Sequence, residues 1–566
     1  MDESYIIAID LGTAYSGYAY NITPKDKDIS PRVKRWGTEQ GLDTPKAPNF
    51  ILFDGEQTFM SFGYQARDAY INMSSSDAEK CYLFNNFKMS LYGQADLMIK
   101  AENGKTMKAL QVFAAALQFL KEDALKTINK TTSNMQFEAS DFTWVMTVPA
   151  IWDDAAKQFM REAAVQAGIV SRDNGEKLVI ALEPEAASIW CKKLPAEGFL
   201  SENHSRTSLQ QTPGTQYIVV DCGGGTIDIT VHEVLTDGRL KEVRKASGNN
   251  MGGQTVDSKF KEFLREIFDD GVWEEYEAKH PGELQQLMYD FAYMKQVDQD
   301  GQFSCPYNLG QTASRKKEIE MFFDNDKGAS WNDGKIKISQ RKMRSFFEES
   351  LTGVRNSLEE ILKNTTNIKY ILLVGGYALS QVLRDHIENQ FGSQYKVLCP
   401  DLPQEAVLKG AVMFGRDKAV IVSRKSRFTY GFDIDEKFDS NNHDEERKAI
   451  SSKGELCKGV FFKMIEIDQD VGWNENKVYK FRPVTNDQEI MTFRFFRTER
   501  KNPKYIDEWG AEQIGEVVVK MPNTTGGTKR EVKMEVIFGD TEITATATDL
   551  LSNSVARVNI DFIQDT

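Results

Sequence analysis

The sequence predicts an α/β region over residues 1–422, followed by an all-β, sandwich-like domain over residues 428–566. Two observations carry this prediction. A strand, a glycine-rich turn and a second strand occur twice in the α/β region, and helical periodicity is lost after residue 427. With 566 residues the chain is too long for one hydrophobic core, so we expect several domains or subdomains.

The repeated pattern has the chemistry of a phosphate site. One apolar strand runs into Asp10-Leu11-Gly12-Thr13, and another runs into Asp221-Cys222-Gly223-Gly224-Gly225-Thr226. Glycine lets the backbone approach an anion, and turn N–H groups together with a threonine hydroxyl can hold phosphate oxygens. An aspartate at each strand end can hold the water shell of a Mg²⁺ ion. Two such turns facing each other across a cleft predict a binding site for a nucleoside triphosphate.

Strands and helices alternate through the rest of the α/β region. Met107, Ala114, Leu117 and Leu120 recur at helical spacing and predict one buried helix face. A surface loop is expected at 201–215. The predicted strands are 49–53, 142–148 and 370–374, and the predicted helices are 105–128, 153–167, the alanine-rich stretch after Glu183, 256–268, a helix ending near 389, and 405–416.

The C-terminal region has a different hydrophobic pattern. Beyond the basic residues 423–427, which we predict to be a short linker, apolar side chains alternate with polar ones. Alternation with a period of two is typical of antiparallel strands with one buried face. No helical pattern follows, so the domain is expected to have no helical lid. The alternating positions are Val532, Met534, Val536 and Phe538, then Ile543, Ala545 and Ala547, then Val558, Ile560 and Phe562.

Composition excludes several functional classes. A net charge of −14 argues against nucleic acid and against an anionic membrane surface as partners. The apolar runs are too short for a membrane span, and the acidic start lacks the basic region of a signal peptide. The six cysteines are scattered without a C-x-x-C pair, so we expect neither a zinc site nor a disulfide framework. A reducing, cytoplasmic location is therefore expected.

Several motifs that occur in order resemble the ATPase domain of the 70-kDa heat-shock chaperones, within the actin and sugar-kinase superfamily. The resemblance covers about residues 4–416 and implies an actin-like ATPase fold of two related lobes, each with a central mixed sheet and helices. The context of Lys88 and residues 427–431 is similar to the divergent 12A/12B-like subgroup. The motifs are Asp10 to Ser16, Thr147-Val148-Pro149-Ala150, Glu183-Pro184-Glu185-Ala186-Ala187, Asp221 to Asp228, Gly252-Gly253, Val374-Gly375-Gly376 and Gln404 to Ala411.

The resemblance also implies roles for single residues in binding ATP or ADP with Mg²⁺. Asp10, Glu183 and Asp221, with Asp228 nearby, would surround the ion, mostly through water. Lys88 would orient the attacking water, and Asp10, Glu183, Asp221 and Thr226 complete the catalytic set. Residues implied to bind the nucleotide are Gly12, Thr13, Ala14, Tyr15, Gly223, Gly224, Gly225, Thr226, Gly252, Gly253, Lys295, Gly375, Gly376 and Tyr377.

Glu183 also stands out without the resemblance. It lies in an apolar run, and a carboxylate buried there needs a partner.

The chain departs from the family pattern at three places. Tyr377 and Leu379 stand where the family has serine and arginine, which puts adenine recognition in question. Lys157 replaces an arginine that works with the proline at Pro149 to relay nucleotide state, and lysine lacks the planar fork of arginine. The basic residues 423–427 replace an acidic, leucine-rich linker.

Three functions remain open at this point. The first is an ATP-binding, chaperone-like protein that hydrolyses ATP slowly and binds a client or signalling protein through its β domain, with cochaperones as further partners. The second is a nucleotide-binding scaffold or signalling regulator with little or no hydrolysis. The third, a sugar-kinase-type phosphotransferase, is disfavoured because the β domain has no role in that chemistry. No Walker-type P-loop is present.

Overall fold

The computed structural model describes residues 5–23, 29–91, 98–132, 135–200, 207–324, 327–451, 454–538 and 543–559. The acidic start, the first part of the predicted loop (201–206), and the predicted strand positions Ile560 and Phe562 lie outside these residues. The chain divides into two compact units. The first comprises Met1–Trp152, Met160–Val231 and Ala246–Lys418, and the second comprises Asp153–Phe159, His232–Lys245 and Ala419–Thr566.

Strands up to residue 398 belong largely to the first unit, although two of them extend into the segment 232–245 of the second. In chain order they are β1 (Tyr5–Leu11), β2 (Tyr15–Asn21), β3 (Arg32–Val33), β4 (Ala47–Pro48), β5 (Phe50–Phe53), β6 (Phe59–Phe62), β7 (Tyr82–Asn85), β8 (Met98–Lys100), β9 (Thr106–Lys108), β10 (Phe142–Val148), β11 (Leu178–Leu182), β12 (Gln216–Cys222), β13 (Ile227–Val234), β14 (Leu240–Asn249), β15 (Gly301–Ser304), β16 (Ala329–Asn332), β17 (Lys335–Ile338), β18 (Ile368–Val374) and β19 (Lys396–Leu398).

The α-helices occur between these strands along the chain, except the last helix, which follows β19. No helix among the described residues is both long enough and apolar enough to cross a membrane. In chain order they are α1 (Gly63–Ile71), α2 (Ser75–Ala78), α3 (Ala109–Thr131), α4 (Asp154–Gln166), α5 (Glu183–Cys191), α6 (Gly253–Ile267), α7 (Val272–Lys279), α8 (Pro281–Met294), α9 (Tyr307–Ser314), α10 (Gln340–Ser345), α11 (Glu348–Asn364), α12 (Gln381–Phe391) and α13 (Ala406–Arg416).

Two sheets of the first unit share one strand order. The first runs β11-β10-β1-β2-β3, and the second contains the run β19-β18-β12-β13-β14. In each run the first three strands are parallel. β1 and β2 form an antiparallel hairpin. Asp10 on β1 and Asp221 on β12 therefore occupy equivalent strands. The predicted pair of related lobes with mixed sheets is confirmed.

Close packing of α13 against α5 fixes the position of Glu183 at the end of β11. The central strands are buried along their length, as in β1, because both faces of the sheet are covered. Gly410 on α13 has no room for a side chain, since a Cβ there would meet the carbonyl of Ala186 on α5. α5 begins directly after β11 with Glu183, and Pro184 occupies its first turn, where a missing N–H costs nothing. Glu183 is thereby held at the sheet edge.

The second unit is built mainly from antiparallel strands. The strands are β20 (Ile421–Lys425), β21 (Thr429–Lys437), β22 (Lys448–Ser451), β23 (Gly454–Ile465), β24 (Asp470–Gly472), β25 (Glu475–Phe481), β26 (Ile490–Thr498), β27 (Glu512–Lys520), β28 (Val532–Phe538), β29 (Thr544–Asp549) and β30 (Val555–Asn559). One sheet has the order β22-β23-β21-β26-β27 and another has the order β25-β28-β29-β30. β20 and β24 belong to neither of these sheets and pair with each other.

Side chains of both sheets share one core. Phe432, Phe495, Val517 and Val536 are buried in it. The alternation predicted for 532–538 appears as buried and half-buried positions along β28. No α-helix occurs in the described residues after 418. The predicted change from α/β to all-β structure is thus confirmed, while the basic residues 423–427 include the last three residues of β20.

Candidate functional site

A cavity of about 670 Å³ in the first unit brings most of the predicted site residues together. This volume falls within the range of roughly 300–1,000 Å³ that is usual for small-molecule sites. Both glycine turns contribute to its wall. The predicted residues that line it are Asp10, Gly12, Thr13, Ala14, Tyr15, Lys88, Glu183, Asp221, Gly223, Gly224, Thr226, Gly253, Lys295, Gly375, Gly376 and Tyr377.

Three predicted residues do not line the cavity: Gly225, Gly252 and Asp228. A side chain at Gly225 would collide with Met89, and one at Gly252 would collide with the carbonyl of Gly224. Asp228 accepts a hydrogen bond of 2.9 Å from a backbone N–H. These residues lie behind the cavity wall, where the two glycines permit close packing.

Asn49 braces the first glycine turn. Its side-chain amide donates hydrogen bonds to the carbonyl oxygens of Gly12, at 2.8 Å, and Thr13, at 3.4 Å. Its backbone N–H donates to the carbonyl of Ala14 at 2.8 Å. The carbonyls of this turn therefore face Asn49 and not the cavity, which suits a turn that receives an anion.

The start of α6 braces the second turn in the same way. Backbone N–H groups of residues 252, 253 and 254 donate to the carbonyls of residues 225, 223 and 224, at 3.2, 3.1 and 2.8 Å. The two turns also touch, because a Cβ placed on Gly224 would lie 2.7 Å from the Cβ of Ala14. Glycine is required at this contact.

Two buried ion pairs lie at the strand ends. Lys88, in the short helix Phe87–Leu91, donates a hydrogen bond of 2.6 Å from Nζ to Oε1 of Glu183. This is the partner that a carboxylate in the apolar run of residue 183 requires. Lys46 donates from Nζ to Oδ2 of Asp10. Burial would raise the pKa of Asp10, but the charges of the two lysines hold it below its ordinary value.

The remaining carboxylates are less well compensated. Burial raises the pKa of Glu183 to about 7; Lys88 opposes this rise, and Asp10 and Asp228 add to it. Burial and the neighbouring carboxylates Glu183 and Asp228 hold the pKa of Asp221 well above its ordinary value. Negative charge is therefore concentrated here in excess of the available lysines.

This excess fits a divalent cation. Two lysines and four carboxylates interact here, so full ionisation leaves two negative charges, the number that one Mg²⁺ balances. The groups are Lys46, Lys88, Asp10, Glu183, Asp221 and Asp228. No three histidine, cysteine, aspartate or glutamate side chains among the described residues are arranged as a direct metal-ligand set. Mg²⁺ gives up its water shell reluctantly, so carboxylates at such a site would hold it mostly through water.

The other end of the cavity is formed by residues near the ends of α8 and β18. Lys295 donates from Nζ to the carbonyl of Gly253 at 2.7 Å and to Oδ1 of Asp257 at 2.6 Å. Gln404 lines the cavity, and its buried side-chain oxygen has no hydrogen-bond partner among the described residues. An unsatisfied buried acceptor facing a cavity is the kind of group that a ligand donor satisfies.

Comparison with known proteins identifies the family. Residues 67–424, more than half of the chain, match the family model described as Hsp70 protein. The chain belongs to the Hsp70 family. It is 34% identical over 626 positions to heat shock 70 kDa protein 12A of Homo sapiens, covering 99% of this chain and 91% of that protein. The Mus musculus 12A protein gives 34% identity over 627 positions with the same coverage.

Heat shock 70 kDa protein 12B of Homo sapiens is 31% identical over 636 positions, again covering 99% of this chain and 91% of that protein. The resemblance drawn from the motifs, including that to the 12A/12B-like subgroup, is confirmed. The chain is a nucleotide-binding protein of the Hsp70 family.

Nucleotide and Mg²⁺ are the ligands implied by Hsp70 membership, and the cavity fits both. Its glycine turns leave no room for side chains where phosphate would approach, and its carboxylates exceed its lysines. Two departures from the family pattern also line the cavity, namely Tyr377 and Leu379. The ring of Tyr377 lies nearly parallel to that of Phe347, with centroids 6.2 Å apart.

Sequence motifs did not identify Lys46 and Asn49. Both precede the strand that begins at Phe50, in a segment without periodicity. An asparagine just before an apolar run usually marks a turn, and an isolated lysine is usually a solvated surface charge. Their positions depend on the pairing of β4 with β2, which no local pattern announces.

Proposed function

We propose that the protein binds ATP with Mg²⁺, hydrolyses it slowly to ADP and phosphate, and uses nucleotide state to modulate protein binding. In this proposal residues 1–422 bind the nucleotide, 423–427 link the domains, and 428–566 bind a client or signalling protein without a helical lid. One observation carries the nucleotide half: residues of both braced glycine turns line a single cavity together with Lys88 and the carboxylates of Asp10, Glu183 and Asp221.

The proposed roles follow from position. The turns at Gly12–Tyr15 and Gly223–Thr226 hold the β- and γ-phosphates, and Lys295, Gly375, Gly376 and Tyr377 hold the nucleoside. Mg²⁺, when bound, supplies charge neutralisation on the phosphates. Asp10, Glu183 and Asp221 orient the ion through its water shell, and Thr226 lies beside the phosphates.

Lys88 is proposed to orient the attacking water. Its Nζ is fixed by Glu183 and lies 5.3 Å from the centroid of the Trp152 ring. Its side chain is 2% exposed, so little side-chain freedom is left to lose in the reaction. A positioned ammonium group stabilises charge that develops during phosphoryl transfer.

Single-turnover hydrolysis of radiolabelled Mg-ATP tests this role. We expect slow phosphate release by the wild type and none by Lys88→Ala, which retains ATP binding. Lys34→Ala is the matched control, because Lys34 pairs with Asp123 at 3.3 Å and does not line the cavity. Unchanged release by Lys88→Ala would contradict the role given to this lysine.

A nucleotide-binding scaffold or signalling regulator is the second candidate. It shares the cavity and its lining residues with the first candidate and differs from it only in hydrolysis. Binding of Mg-ATP without phosphate release by the wild type would establish it. A sugar-kinase-type phosphotransferase is not supported, since the chain belongs to the Hsp70 family.

Protein binding by the second unit is supported by exposed apolar side chains. Trp509 is 87% exposed and Ile450 is 89% exposed. Exposed tryptophan is costly to leave in water and is enriched where proteins bind one another. A polypeptide with apolar side chains is the kind of partner that exposed side chains of this type contact. Cochaperones are a further class of partner in this proposal.

A cytoplasmic location completes the proposal. It rests on the scattered cysteines, all six of which are free thiols. Free cysteines persist in reducing compartments.

A further inference from the structure

A second lysine lies at the phosphate end of the cavity, in addition to Lys88. Lys46 lines the cavity and donates from Nζ to Oδ2 of Asp10. The two side chains are 12% and 5% exposed. An ammonium group with so little exposure to water requires a compensating negative charge, and here that charge is one of the carboxylates proposed to face Mg²⁺.

The backbone holds Lys46 against the first glycine turn. Lys46 immediately precedes β4, whose two residues pair with β2 at Ser16 and Tyr15. A side chain at Gly17 on β2 would come within 3.1 Å of Lys46 and 2.9 Å of the carbonyl of Pro45. Three residues later, Asn49 is hydrogen-bonded to the turn itself. Lys46 is therefore part of the wall beside the phosphate turn.

The charges around Lys46 indicate how it can affect the binding of a cation and of a nucleotide. Asp10 is paired with Lys46, whereas Asp221 lies among carboxylates. A hydrated cation that approaches Asp10 must compete with the ammonium group already bound to it. While it is bound to Asp10, the ammonium group lies beside the turn at Gly12 and Thr13, and its two remaining N–H groups can donate to a phosphate in the cavity.

We propose that Lys46 is a built-in counter-cation that replaces part of the Mg²⁺ requirement for nucleotide binding. Without the metal, Lys46 balances Asp10 and donates to a phosphate oxygen of the nucleotide. With the metal, the hydrated ion competes with Lys46 for Asp10. The inference rests on the proposed ATP site and adds that a measurable part of the nucleotide affinity persists without Mg²⁺.

Titration of the full-length protein with N-methylanthraniloyl-ATP tests the inference. Affinity is measured in excess Mg²⁺ and in excess EDTA for the wild type, for Lys46→Met and for the control Lys34→Met. In EDTA, Lys46→Met should bind about tenfold more weakly than the wild type, the loss expected for one charge-assisted hydrogen bond to phosphate. In Mg²⁺ the two should agree within about threefold, and Lys34→Met should match the wild type in both buffers.

Two outcomes overturn the inference and are distinguishable. An equal ratio of EDTA to Mg²⁺ affinity in the wild type and Lys46→Met overturns it and leaves the proposed function intact. A wild type that binds no nucleotide in either buffer overturns both.

A measurement on the wild type alone covers the case in which Lys46→Met does not fold. ATP in EDTA should raise the Tm of the wild type, which supports the inference, because ligand binding to the folded state stabilises it. A Tm that rises with Mg-ATP but not with ATP in EDTA overturns it.

Discussion

At the scale of single residues, the phosphate end of the cavity is defined by how its buried charges are paired. Lys46 pairs with Asp10, and Lys88 pairs with Glu183. Asp221 lies among other carboxylates, and its pKa is held well above its ordinary value by burial and by those neighbours. Removing one negative charge should therefore affect metal binding and nucleotide binding in opposite directions.

Asp221→Asn is expected to weaken Mg-ATP binding by about tenfold or more, because one proposed holder of the ion's water shell is lost. In EDTA the same variant should bind ATP at least as well as the wild type, since a negative charge near the phosphates is gone. Isothermal titration calorimetry measures both affinities. Asp290→Asn, a change at an exposed aspartate on α8, is the control. Equal Mg-ATP affinity in Asp221→Asn and the wild type would count against the metal site.

Glu183 should make the metal-free protein less stable as pH rises. Its pKa is about 7 in the folded state, against an ordinary value of 4.5. The folded state therefore holds more protons than the unfolded state between these values, and the free energy of unfolding falls as pH rises through that window. We expect the Tm of Glu183→Gln, relative to the wild type, to rise between about pH 5 and about pH 7. Thermal unfolding in EDTA measures it, and a constant difference would refute the expectation.

At the scale of elements, the turn that follows β18 illustrates how two adjacent glycines differ. Gly375 has φ 87° and ψ 169°, a region that is essentially restricted to glycine. A Cβ there would also meet the carboxylate of Asp221 and the carbonyl of Cys222. Gly376 has no atom within 4 Å of the position that a Cβ would take. Only the first glycine is required by the backbone.

Gly375→Ala is expected to lower the free energy of unfolding by about 2 kcal/mol or more, from backbone strain and the collision with Asp221. Gly376→Ala provides the matched control and should change stability by less than about 0.5 kcal/mol. Urea unfolding followed by circular dichroism compares the two variants. Similar losses in both would show that the turn adapts to a side chain at either position.

The sequence predicted most elements because each was bounded by a local signal. The strand predicted at 142–148 is β10, an apolar run ended by Pro149. The helix predicted at 105–128 is α3, which begins at Ala109 because residues 106–108 form β9 instead. Here a short strand pair replaces the first residues of the predicted helix. The periodicity of one segment does not reveal the strand with which that segment pairs.

The site was only partly predictable for the same reason. Asp10, Asp221 and Glu183 end apolar strands or follow them, so hydrophobic pattern and motif point to them together. Lys46 and Asn49 owe their places to the pairing of β4 with β2. That pairing joins residues about thirty positions apart, and nothing in residues 45–49 specifies it.

At the scale of the whole molecule, the proposed function requires that nucleotide state changes protein binding. We expect ATP and ADP to change the affinity for a fluorescein-labelled, permanently unfolded polypeptide by at least about threefold relative to each other. Fluorescence anisotropy in Mg²⁺ measures these affinities. Asp221→Asn, which should bind Mg-ATP poorly, should lose the difference. Identical affinities with ATP, with ADP and without nucleotide in the wild type would exclude this coupling.

The matching strand order of the two sheets has a consequence for how a ligand is oriented. The two lobes have the same arrangement of strands, so the backbone alone does not determine which end of an elongated ligand faces which lobe. The side chains break this equivalence. In the half that contains β1, Lys46 pairs with Asp10 and Lys88 pairs with Glu183, whereas Asp221, in the half that contains β12, lies among carboxylates. Charge compensation therefore differs between the two halves although their architecture does not, and a charged ligand takes its direction from that difference.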